Sequence, residues 1–144
     1  MRVINKKANF EYLLTGEHFE AGIVLLGAEA KSLRNSRADL KQSVVRAIDN
    51  ELYLINCNIP VVSPPRGYTP TRSRKLLLNK KEIVSAITKS KQLKLTFVPV
   101  SMYNKGRLIK ISVALGKPKK KYDKRASIKE KDVKREIDRA LKNS

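Results

Sequence analysis

The sequence predicts a mainly β fold: a small antiparallel barrel or sandwich with a few short helices and a basic C-terminal tail. Three observations carry this. Apolar and polar residues alternate with period two in several short runs. Those runs come in pairs around turn residues, as hairpins do. Helical spacing is confined to one internal segment and to the tail, so alternating strands and helices of a parallel sheet are not indicated.

The elements follow in order. FEAGIVLLG at 19–27 reads as a strand through Ile23, Val24, Leu25 and Leu26. AEAKSLR at 28–34 suits one or two helical turns. Residues 43–49 and 51–57 flank Asn50 as a hairpin, with Tyr53 and Ile55 alternating against Leu52, Leu54 and Asn56. Residues 58–74 hold four prolines and a glycine and form a long loop. RKLLL at 74–78 is a short apolar strand or a lead into a helix. Asn79 with Glu82 has the form of a capping pair, and Ile83 and Ile87 share a face, which predicts a helix over 79–90. LKLTFVPVSMY at 93–103, the turn NKG and RLIKISVAL at 107–115 complete a second hairpin. Pro118 closes that last strand, since it has no N–H to give to a ladder.

Beyond it, Ser127 and Glu130 form a capping-box pattern, and Val133, Ile137, Ala140 and Leu141 fall at helical spacing. Such a stripe is thin, and a helix of about 15 residues is marginal alone in water. The expectation is a barrel over 1–116 and a tail over 117–144 that becomes helical when docked.

The 144 residues carry a net charge of +19. Of this, the tail holds 12 Lys and Arg against 5 acids, and the body 20 against 8. The body is therefore basic in its own right. A small, strongly basic chain points to nucleic acid, with an anionic membrane as the rival. No apolar run approaches about 18 residues and no signal-peptide pattern is present, so a cytoplasmic location is expected.

Catalytic signatures are sparse. No Gly-rich phosphate loop occurs. His18 is the only histidine and Cys57 the only cysteine, which leaves little support for a metal site or a nucleophilic triad. His18 reads as a surface residue, and Cys57 as a small core residue. No DxD-like acid pair suggests magnesium-dependent cleavage. The chain is read as a non-enzyme without cofactors. Glu20 reads as a solvated strand residue or a partner for a lysine. Arg72, Arg74, Lys75, Lys80 and Lys81 form a basic cluster suited to phosphates. Tyr68, Tyr103 and Tyr122 could stack on bases.

Four strings then matter together. NKKA at 5–8, FEAGIVLLGAEAKSLR at 19–34, PTRSRKLLLNKKEI at 70–83, and YDKR at 122–125 followed by IKEKD occur in one order. The chain resembles the SsrA-binding proteins of the SmpB family through nearly its whole length. The resemblance implies an OB-like antiparallel barrel that binds the tRNA-like domain of transfer-messenger RNA. It implies delivery of that RNA to stalled ribosomes for trans-translation, with the protein standing in for an anticodon arm. Elongation factor Tu and alanyl-tRNA synthetase are implied as partners through the RNA complex, the ribosome through its small-subunit RNA, and a monomer is expected. A ribosomal or general OB-type RNA-binding protein is the alternative.

Position by position, the resemblance implies RNA contacts at Asn5, Lys6, Glu20, Leu77 and Lys110, with Arg34, Arg72 and Arg74 as additional contacts. Periodicity alone would place Leu77 in the core. Tyr122, Asp123, Lys124 and Arg125 match the segment that reaches the decoding centre, and the residues after them the helix in the empty messenger channel. Pro118 stands where the family usually has a hinge glycine, and Ala114 where it often has glycine in the last strand.

Overall fold

The structure, a computed structural model, describes residues 1–120. Its elements are β1 (Arg2–Ile4), α1 (Ala8–Glu11), β2 (Tyr12–Ile23), α2 (Gly27–Arg34), β3 (Val44–Ile48), β4 (Glu51–Ile55), β5 (Arg74–Leu77), α3 (Lys80–Leu93), β6 (Thr96–Lys105) and β7 (Leu108–Pro118). All strand pairings are antiparallel. They close into a ring, β6–β3–β4–β5–β2–β7 and back to β6, with β1 added alongside β6. This is the expected antiparallel barrel with few helices.

Local chemistry explains most elements. Asp49 and Asn50 both take positive φ, 50° and 61°, the left-handed pair that a two-residue hairpin between β3 and β4 needs. Asn79 Oδ1 accepts the N–H of Glu82 at 2.9 Å and caps α3. That helix runs three residues past its expected end at 90. Lys94 closes it in the left-handed region, and Ser90 Oγ donates to the carbonyl of Leu95 at 2.6 Å. Accordingly β6 starts at Thr96 rather than at 93.

The expected strand over 19–27 is shifted. β2 begins at Tyr12 and ends at Ile23. Val24 N–H makes one more bond, to Lys75 O at 2.9 Å, and the chain then turns into α2. The early half of β2 carries a bulge between Leu14 and His18 against β7, with Gly16 at φ 88°. A bulge breaks alternation, so TGEH gives no period-two signal. β1 and α1, of three and four residues, are too short for periodicity to reveal.

The core is one cluster inside the ring, including Leu33, Leu52, Leu54, Ile59, Leu76, Met102, Ile111 and Val113. Gly116 sits where β7 presses on β2: a Cβ there would lie 2.9 Å from the carbonyl oxygen of Leu13. The β2–β7 ladder continues to Pro118 opposite Tyr12, and Lys119 N–H donates to Glu11 O at 2.8 Å. Ordered pairing thus extends past residue 116. The expected helix with its Ser127 cap and the segment Tyr122–Arg125 lie outside the described residues.

Candidate nucleic-acid interface

Strand register builds one row of side chains across five strands. Arg2 stands opposite Tyr103, Tyr103 opposite Lys110, Lys110 opposite Gly22, and Gly22 opposite Leu77. Directly opposed residues of antiparallel strands share a face. The next row along, Val3, Met102, Ile111 and Ala21, is buried. The Arg2–Leu77 row therefore faces out. A neighbouring row, Ile4, Ser101, Ser112 and Glu20, lies on the same face.

Gly22 gives this wall its relief. A Cβ there would sit 3.2 Å from Leu77 Cβ, so the bare glycine lets Leu77 lie over β2. Leu77 is 52% exposed, which overturns the core placement that periodicity suggests. Beside it runs a groove of 290 Å³ lined by Leu25, Arg34, Leu77, Arg107, Leu108 and Lys110 among others. Three of the residues expected to contact RNA, Arg34, Leu77 and Lys110, are brought together here from α2, β5 and β7. An apolar strip flanked by three cations suits a sugar–base surface edged by phosphates. Arg107 and Arg2 were not singled out from the sequence; the β1–β6 register places Arg2 on this face, and Arg107, in the turn before β7, lines the groove.

Glu20 lies at one end of the face, partly exposed. Its carboxylate accepts hydrogen bonds from the hydroxyl of Tyr103 and from Lys105 Nζ, the latter at 3.1 Å. The Tyr103 bond and then Lys105 hold its carboxyl below the usual carboxylate range. Reciprocally, the Glu20 carboxylate pushes the Tyr103 phenol up to about 12. Glu20 is thus both a strand residue paired with a lysine and a member of the outward face. Lys6 is exposed beyond β1.

Three expected contacts need correction. Asn5 is only 8% exposed: its Nδ2 donates to Pro99 O at 2.8 Å, its N–H to Val100 O, and its Oδ1 accepts from Lys7 N–H. It ties β1 to the barrel. Arg74 is fully buried and belongs to no surface cluster. Arg72 is partly exposed, but its Nε and Nη2 are directed inward.

The group that takes both arginines inward is Glu29, a residue that sequence reasoning passed over as one more acid of the body. Its side chain is fully buried. It accepts from Arg72 Nε at 3.1 Å, Arg74 Nε at 2.8 Å and Nη2 at 2.5 Å, the Tyr68 hydroxyl at 3.0 Å and Leu26 N–H at 2.9 Å. Arg74 also donates to the carbonyls of Cys57, Pro70 and Arg72. Burial raises the Glu29 carboxyl, but the Arg72, Leu26 and Arg74 hydrogen bonds outweigh it and bring it down to about 2. Tyr68, engaged with Glu29 and with the Ile59 carbonyl, spends its hydroxyl on the loop.

The remaining chemistry is quiet. His18 is exposed, as expected. Cys57 is buried, as expected, and burial pushes its thiol up to about 12. Among the described residues no three His, Cys, Asp or Glu side chains group as metal ligands. No helix among them is long and apolar enough to cross a membrane.

Comparison with known proteins decides the family. The family model described as SmpB protein matches residues 2–143. The chain belongs to the SmpB family. It is 49% identical over 140 residues to the SsrA-binding protein of Sulfurihydrogenibium sp. (strain YO3AOP1), covering 96% of this chain and 91% of that one. To the SsrA-binding protein of Halalkalibacterium halodurans it is 46% identical over 140 residues, covering 96% and 90%. Among solved structures it is similar to a chain from "tmRNA-SmpB: a journey to the center of the bacterial ribosome". The TM-score is 0.67 at 37% identity, over 83% of this chain and 85% of that one. The SmpB fold and the barrel described above agree.

Proposed function

We propose that this SmpB-family chain binds the tRNA-like domain of transfer-messenger RNA and works with it in trans-translation on stalled bacterial ribosomes. The observation that carries this is the outward row Arg2–Tyr103–Lys110–Gly22–Leu77 with Arg34 and Arg107 at its groove. Supporting it are the names of the relatives, SsrA-binding proteins, and of the structural neighbour, a tmRNA–SmpB structure of the bacterial ribosome.

In this reading Lys6, Arg34 and Lys110 neutralise phosphates, each cation releasing counterions as it does so. Leu77 packs on a sugar or base, and Tyr103 offers an aromatic face. Glu20 holds Tyr103 and Lys105 in place and leaves a partly exposed carboxylate for ribose or base hydrogens. Asn5, Arg72 and Arg74 act from behind, by fixing β1, the 58–74 loop and the start of β5.

The finer scheme is an extension of that reading. The barrel stands in for an anticodon arm. Tyr122, Asp123, Lys124 and Arg125 meet the decoding centre, and the residues after them enter the empty messenger channel. Elongation factor Tu and alanyl-tRNA synthetase act through the RNA, and the protein, a cytoplasmic monomer, catalyses no covalent step.

A competition gel-shift tests the core statement. Labelled tRNA-like domain is challenged with bulk RNA over a salt series. A retained preference at moderate salt is expected. Equal loss for both RNAs, the signature of backbone contact alone, would instead fit a general OB-type RNA-binding protein.

A further inference from the structure

Two elements face each other across the candidate groove: α2, which carries Arg34, and β5, which carries Leu77. α2 is held by three anchors. Leu33 enters the core with no exposure. Ser32 Oγ donates to Pro60 O at 2.5 Å. Glu29, one turn before Leu33, takes both guanidinium groups and the Tyr68 hydroxyl. The two polar anchors lead to the proline-rich loop and to the first residue of β5, Arg74. From Arg74, Leu77 is three residues along the same strand.

Glu29 is therefore a buried polar link between the helix of Arg34 and the strand of Leu77. It also caps its own helix through Leu26 N–H. Ion pairs withdrawn from water hold geometry well, because leaving either partner alone is costly. A carboxylate shared by two forked guanidinium groups has little freedom to shift. None of these atoms is on the outward face, so Glu29 acts only through its neighbours.

We propose that Glu29 is a positioning residue for RNA binding: its carboxylate sets the separation of α2 and β5, and so the fit of Arg34 and Leu77 to one RNA strand. This rests on reading the groove as the RNA face. Mere stabilisation would lower the folded fraction without changing what Arg34 contributes in folded molecules. Positioning makes the contribution of Arg34 depend on Glu29.

The test is a double-mutant cycle on the full-length chain. Affinity for a transcript of the tRNA-like domain is measured for wild type, Glu29→Gln, Arg34→Ala and the double variant, at a temperature where circular dichroism shows all four folded. Arg34→Ala should cost wild type about tenfold, and much less in the Glu29→Gln background, a coupling in the range of residues sharing one network. If Glu29→Gln does not fold, Arg72→Gln replaces it: that variant keeps the Glu29–Arg74 pair and releases only the loop clasp. Specific binding with equal Arg34 losses in both backgrounds overturns the positioning role alone. A wild-type chain with no preference for the tRNA-like RNA overturns the functional reading and this one with it.

Discussion

Glu29 and Arg74 meet inside the barrel wall with neither side chain exposed, Arg74 Nε standing 2.8 Å from Glu29 Oε2. The pair makes acid stability a readout of one carboxylate. Its folded value of about 2 lies below the ordinary 4.5. A depressed carboxylate stabilises the fold above its unfolded value, and that stability is lost as pH falls through the folded one. The contribution is on the order of 3 kcal/mol and disappears between about pH 4.5 and 2. Denaturant melts of Glu29→Gln should show lower stability at neutral pH and a flatter decline across that window. An unchanged acid slope would remove Glu29 as its source.

Gly22 and Gly116 predict opposite outcomes for one substitution. Gly116→Ala drives a Cβ to 2.9 Å from the Leu13 carbonyl, which is backbone and cannot step aside. Overpacking of that kind costs about 1–3 kcal/mol, seen as a fall in the midpoint of thermal unfolding. Gly22→Ala brings a Cβ to 3.2 Å from Leu77 Cβ and 3.6 Å from its Cδ1, with the Leu77 carbonyl oxygen at 3.7 Å. Leu77 Cβ is fixed to its backbone, so β5 must shift by a few tenths of an ångström; the stability loss should be smaller than for Gly116→Ala, while RNA affinity falls. A Gly22→Ala chain that binds normally would separate Leu77 from the interface.

Glu20→Ala should weaken RNA binding even though it removes a negative charge from a basic face. The loss arises because Tyr103 and Lys105 are released from their shared partner. A companion measurement checks the cause. In wild type the Tyr103 phenol titrates near pH 12, and in the variant it should move back toward 10. Tighter RNA binding by Glu20→Ala would show that its charge, not its hydrogen bonds, dominates.

Truncation after Lys120 should leave RNA affinity nearly intact and abolish tagging of stalled peptides. The cut must spare Pro118 and Lys119, which pair with Tyr12 and Glu11. Cutting after Gly116 would remove those ladder contacts and confuse barrel damage with tail loss. RNA binding lost on truncation after Lys120 would merge the two roles that the charge distribution separates.

Much of this was legible in the sequence. Both hairpins, the Asn79 cap and the long proline loop follow from alternation, turn residues and side-chain capping, all of which act within a few residues. What was missed acts at a distance. Arg72 and Arg74 look like phosphate ligands because a linear string cannot reveal Glu29, over 40 residues earlier, as their buried partner. Leu77 looks like core because apolar runs do not say which face is covered; the register against Gly22 does. Arg2 and Arg107 acquire meaning only when five strands lie side by side.

The last described ladder has a mechanical meaning. β7 carries Lys110 near its start and Ser112 near its middle, ends at Pro118, and pairs with β2 from Tyr12 to Gly22 with a bulge between Leu14 and His18. A pull directed along β7 from its C-terminal end loads the backbone hydrogen bonds of that ladder in shear rather than peeling them singly. The opposite strand of that ladder carries Glu20 and Gly22. Tension applied at that end is thus passed along the β2–β7 ladder, across its bulge, to the strands of the candidate interface.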